Sequence, residues 1–137
     1  MKPARCLLTL TVIFLLLSPA AAAVIGQNDK DVQAIAEPIL DTVLTGLNNG
    51  NYSLYSRYFD ATLKDAITEK KFSQVRANIL KKLGKYQSRT YLGFLQKGNF
   101  TAVLWRGRFS ASDDDVSIKL VLSKRGNKVL VAGLWFE

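Results

Sequence analysis

Three tyrosines, Tyr52, Tyr55 and Tyr58, recur at every third position. On a helix that spacing sets them along one side. There they would line a pocket mouth and offer hydroxyls to a ligand, or form the seam that packs a short helix with its hydroxyls in water. Arg106 and Arg108 stand two apart, so in a strand they share a face with Phe100, Ala102 and Leu104. If that face is concave, the two arginines, joined by Arg89, would favour a carboxylate or phosphate ligand. If it faces solvent, the opposite row of Val103, Trp105 and Phe109 is the core. The carboxylates considered for the helical half are Asp41, Asp60 and Asp65. A proton-transferring enzyme would need one of them in an apolar pocket, opposite a tyrosine or a protonated acid. Asp41 is expected to point away from the core, Asp60 to cap a helix, and Asp65, beside Lys64, to be solvated. No catalytic residue is assigned.

Other charged runs carry less chemistry. Asp113, Asp114 and Asp115 lack the alternate oxygen ligands and the distant Glu of a calcium loop, so they read as an acidic hairpin tip. Lys70, Lys71, Lys81, Lys82 and Lys85 supply much of the basic charge. Lys81 and Lys82 fall in a last helical turn, where cations meet the macrodipole favourably. Nucleic acid is not an expected partner. At most, weak electrostatic contact with anionic envelope surfaces is expected.

Whole classes of chemistry are excluded. The chain has no His, and its one Cys is Cys6. It therefore holds no His general base, no Ser-His-Asp or Cys-His arrangement and no His/Cys zinc site. No metal and no cofactor is expected. Its 137 residues fit one domain. Hydrophobic residues at 48% and charged residues at 22% are globular proportions.

The first residues read as an address. Lys2 and Arg5 precede an apolar run from Leu7 to Leu17, broken by Ser18 and Pro19 and followed by the small residues Ala20 to Ala23. This is the pattern of a secretory signal, with cleavage expected after Ala23. As a helix the run would rise only about 16 Å, roughly half a bilayer core. Residues 1–23 are thus expected to be removed and the mature protein to be secreted or periplasmic. Loss of Lys2 and Arg5 takes the basic count from 19 to 17 against 11 acidic residues, so the net charge of +8 becomes +6. Residues 24–30 read as a flexible lead-in.

The mature chain then divides into helices followed by strands. Val32, Ile35, Ala36, Ile39, Val43, Leu44 and Leu47 have helical spacing from Asp31 onward. Pro38 either kinks this helix or marks the first turn of one starting near Ala36. Asn48-Asn49-Gly50 ends it. Ser53 would cap a helix over Leu54–Phe59, Asp60 one over Ala61–Ile67, and Thr68 a long one closing at Gly84. Four strands follow, at Gln87–Lys97, Phe100–Ser110, Val116–Ser123 and Lys128–Phe136. The separators are turn residues, and connections this short demand antiparallel hairpins. The last strand is apolar on both faces and is expected to be central.

The expected fold class is α+β, with N-terminal helices packed on a curved four-stranded antiparallel sheet. Residues 31–137 resemble the nuclear-transport-factor-2-like superfamily of cone-shaped domains. The resemblance rests on Gly50-Asn51-Tyr52 followed by Phe59-Asp60, on Leu83-Gly84 before the first strand, and on the closing Gly133-Leu134-Trp135-Phe136. More narrowly, the chain is similar to a secreted prokaryotic family of unknown function within that superfamily. The resemblance implies a pocket between sheet and helices, with Tyr52, Tyr55, Tyr58, Arg89, Arg106 and Arg108 as candidate ligand contacts. The function it leads us to expect is non-catalytic binding of an unknown small molecule or a protein partner. Binding would use the cone pocket or a sheet face, which would also serve a homodimer. The alternative is a small isomerase- or dehydratase-like enzyme using an Asp/Tyr pocket.

Overall fold

A computed structural model describes residues 24–137. The expected signal segment, with Cys6, lies outside the described residues. The elements are α1 (Asp29–Asn49), α2 (Tyr52–Tyr55), α3 (Ala61–Ala66), α4 (Glu69–Lys82), β1 (Tyr86–Lys97), β2 (Phe100–Phe109), β3 (Val116–Arg125) and β4 (Lys128–Phe136). Helices thus precede an open antiparallel sheet of four strands, the expected α+β arrangement. No helix among the described residues is long and apolar enough to cross a membrane.

Helix α1 is built on its apolar face. Val32, Ala36, Ile39, Leu40, Val43, Leu44 and Leu47 are all buried. The Asn28 side chain accepts from the Asp31 N–H at 2.9 Å and caps the first turn. The helix therefore begins at Asp29, and Ile25 ahead of it is already buried. It runs through Pro38, which removes one backbone N–H from the ladder. Ala34, whose carbonyl would have received that bond, is exposed, so water can satisfy it.

The other end of α1 has no cation of its own in the last turn. Arg76 supplies one from α4. Its Nε donates to the Leu47 carbonyl at 2.7 Å and its Nη2 to the Asn48 carbonyl at 2.8 Å. Gly50 ends the helix at φ +65°, a left-handed conformation that suits glycine, and the Arg76 guanidinium lies over it.

Two expected caps are present. Asp60 accepts from the Leu63 N–H at 2.7 Å and Thr68 from the Lys71 N–H at 3.3 Å. The helix expected over Leu54–Phe59 is instead the single turn Tyr52–Tyr55, capped by Asn51 and not Ser53. The chain leaves the helix early because Phe59 is needed elsewhere. It bridges Val131 in parallel and so covers part of the free edge of β4.

The sheet is a meander in chain order, β1-β2-β3-β4. This places β4 at the edge, where a central position was expected. The physical reason for its apolar content is a bulge. Leu122 pairs with Val131 and Val121 with Gly133, which leaves Ala132 unpaired. The extra residue switches the alternation, so Val129 and Val131 before it and Leu134 and Phe136 after it all meet the core. The inner face is completed by Val103, Trp105, Phe109, Ile118, Leu120 and Leu122, all buried.

Candidate functional site

The row of Trp105 lies inward, so Arg106 and Arg108 point outward, with Phe100, Ala102 and Leu104. Arg89 pairs opposite Gly107 and faces inward. The sheet therefore separates Arg89 from the other two arginines. Arg108 donates to Asp115 Oδ1 at 3.2 Å across the β2–β3 hairpin. Arg106 lines a shallow outer cleft of about 280 Å³ with Leu92, Asp115 and Glu137.

Arg89 is the centre of a polar cluster between α1 and the sheet. Its Nε donates to Glu37 Oε2 at 2.8 Å, and its Nη2 also bonds that oxygen. Nη2 reaches Asp41 Oδ1 at 2.7 Å, and Nη1 donates to the Tyr86 hydroxyl at 2.8 Å. Burial works against the charge here, but the bonds to Asp41, Glu37 and Tyr86 outweigh it and hold the guanidinium above its usual pKa. Glu37 Oε1 accepts from the indole N–H of Trp105 at 2.7 Å. Trp105 is fully buried, so its N–H requires such a partner.

Glu37 is the residue that sequence reasoning missed. It lies one helical turn before Asp41, at the border of the apolar face of α1. A carboxylate at that border, opposite an inward Arg and Trp, was the available signal. Both of its oxygens are engaged, which makes the cluster a clamp that holds α1 to β1 and β2.

The tyrosines do not share one helix. Tyr52 donates its hydroxyl to the Ile67 carbonyl at 2.6 Å and joins α2 to the end of α3. Tyr55 is buried against Phe59 and Phe72, with ring centroids 5.1 and 4.5 Å away. Burial, with Tyr52 adding to it, pushes its hydroxyl pKa up to about 12. Tyr58 lies beyond the helix, and its carbonyl accepts from the Val131 N–H.

Asp60 is a cap, Asp65 is exposed, and no group of residues suited to a metal ion occurs among the described residues. A cleft of about 400 Å³ lies between α4 and the end of β4, lined by Val75, Ile79, Leu83 and Phe136 with Asn78, Lys82 and Glu137. None of the six candidate residues lines it.

The outer sheet face is the more unusual surface. The exposed large apolar side chains among the described residues are Leu92, Leu95, Phe100 and Trp135. All four belong to this face. Leu95 pairs with Ala102, and Trp135 pairs with Lys119, in the outward rows. A groove of about 350 Å³ runs between them, floored by Ala102, Leu104 and Val121. Trp135 folds back over Gly133, where a Cβ would fall 2.2 Å from its ring. The Lys119 ammonium stands 4.8 Å from the ring centroid.

The sequence profile of a family described as a protein of unknown function, DUF3887, matches residues 41–128, well over half of the chain. The chain belongs to the DUF3887 family. The DUF3887 match runs from the middle of α1 to the start of β4, so Glu37 and Trp135 lie outside it. No curated protein matches the sequence. Among solved structures, Bd1075 of Bdellovibrio bacteriovorus is similar over 79% of this chain and 40% of its own, with a TM-score of 0.48 and 14% identity. The DUF3887 chain thus spans less than half of that neighbour.

Proposed function

We propose that this protein is a secreted, non-catalytic domain of the nuclear-transport-factor-2-like kind that docks a protein partner on the outer face of its sheet. The carrying observation is that Leu95, Phe100 and Trp135, three of the four exposed large apolar residues of the described chain, line one groove on that face, with Leu92 in the separate outer cleft beside Arg106. Scattered apolar residues need no explanation, whereas a contiguous patch marks a contact surface. The order of helices before a four-stranded meander supports the superfamily assignment, and the pattern of residues 1–23 supports export.

Two further features favour binding over catalysis. The oxygens of Glu37 are taken by Arg89 and Trp105, and the hydroxyl of Tyr52 by a backbone carbonyl. A carboxylate base must be directed at the proton that it abstracts, and the oxygens of Glu37 are instead directed at Arg89 and Trp105.

The test is a photo-cross-linking residue placed at position 95 on the outer face, beside a control at position 71 on α4, in the producing cells. Adducts with a protein at 95 and not at 71 are the expected result. Equal trapping at both positions, or none at 95, would overturn the reading.

A further inference from the structure

The outer groove is apolar in its floor and cationic at its sides. Leu95, Phe100, Leu104, Val121 and Trp135 supply the apolar lining, and its charged members are Lys97 and Lys119. No carboxylate lines it. Lys119 is held against the Trp135 ring, which fixes a cation beside the groove. Neither lysine is in an ion pair among the described residues, and residues 1–23 contain no Asp or Glu that could supply one. Arg125 and Lys128, paired at the β3–β4 turn, extend the positive charge at the same end of the sheet as Lys97.

Resting on the partner-docking reading, we infer that the occupant is an acidic amphipathic segment of a protein. Its apolar side would fill the groove and its carboxylates would meet Lys97 and Lys119. The fit is one of charge and of shape. A second copy meeting the groove with the same face would bring its own Lys97 and Lys119, and the net charge of +6 expected once residues 1–23 are removed adds to the repulsion. A bilayer engages protruding apolar side chains, whereas a depression of about 350 Å³ is filled by an inserted row of them. Four strands about 4.8 Å apart span roughly 15 Å, close to the length of a helix of about ten residues.

Trp135 makes the inference measurable, since it is half-exposed at the groove while Trp105 is fully buried. Two synthetic amphipathic peptides without Trp would be titrated against the protein, identical in a Leu/Phe face and carrying either Glu or Lys on the other. The expected result is a blue shift of Trp135 emission with the Glu peptide, at an affinity at least tenfold above that of the Lys peptide. The advantage should shrink as salt rises, and the charge-reversal double variant K97E/K119E should invert the preference with its circular dichroism unchanged.

Equal affinity for the two peptides would overturn the inference and leave an uncharged docking face. Binding only to phosphatidylglycerol/phosphatidylcholine vesicles would replace it with a membrane surface. A concentration-dependent dimer that ignores both peptides would replace it with a second copy. If neither peptide binds while position 95 still traps a protein, the inference fails and the docking reading stands; loss of both signals removes both.

Discussion

At the scale of single residues, Arg76 ties two helices together although no sequence motif marks it. It bonds the last carbonyls of α1 from another helix, at 2.7 and 2.8 Å. Hydrogen bonds to a charged donor contribute about 1.5–3 kcal/mol, so R76A should cost about 2 kcal/mol in chemical denaturation, and R76K should recover only part of that. Tyr55 makes a pH-dependent contribution. Its folded pKa is raised from 10.0 to about 12 by burial. The contribution is present in full below about pH 10, where folded and unfolded chains both hold the proton. It is lost as pH rises toward about 12, where the unfolded chain alone releases it. Melting temperatures between pH 9 and 12 should therefore fall less steeply for Y55F than for the parent; parallel curves would contradict this. These two residues also show what the sequence conceals. Asp60 and Thr68 were readable because a cap acts within three residues. The partners of Arg76 are 28 and 29 residues away and those of Glu37 as many as 68, so only the folded chain reveals them.

At the scale of elements, α1, α3, α4 and the four hairpin-linked strands were legible from periodicity, caps and turn residues, and the extent of α2 and the place of β4 were not. Period-two reading assumes an unbroken strand, and one bulge residue inverts it. Read straight through, Val131 and Leu134 fall on opposite faces; with Ala132 set aside, both meet the core. Deleting Ala132 should therefore remove the bulge and leave Val131, Leu134 and Phe136 facing the core in a regular strand. No burial is lost at these side chains, so the variant should still unfold cooperatively, with a melting temperature near that of the parent. A melt far below the parental value, or no cooperative transition, would show that the local twist made by the bulge is itself required. The junction of α1 and α2 is as tightly specified. A Cβ on Gly46 would fall 2.3 Å from the Tyr55 backbone nitrogen, so G46A must part the two helices, at about 1–3 kcal/mol by the cost of overpacking.

At the scale of the molecule, one sheet carries two faces that differ in burial, and substitution can separate them. Leu120, on the inner face, has no exposed surface, while Leu95 and Trp135, on the outer face, are 51% and 45% exposed. Removing buried methylenes leaves a cavity, so L120A should cost about 2–5 kcal/mol. Removing half-exposed ones leaves water where there was water before. The double variant L95S/W135S should therefore lose no more than about 1–2 kcal/mol, in keeping with partial burial. Were the outer face merely an unfinished core, helped by nothing outside the chain, this variant would also be more soluble and otherwise unaltered in its cells. A face that serves docking predicts a second effect. The double variant should keep its fold and its cooperative melt, yet give no adduct when the cross-linker is moved to the neighbouring outer position Leu104. Parental adduct yield from a correctly folded L95S/W135S would show that the patch is not what the partner holds.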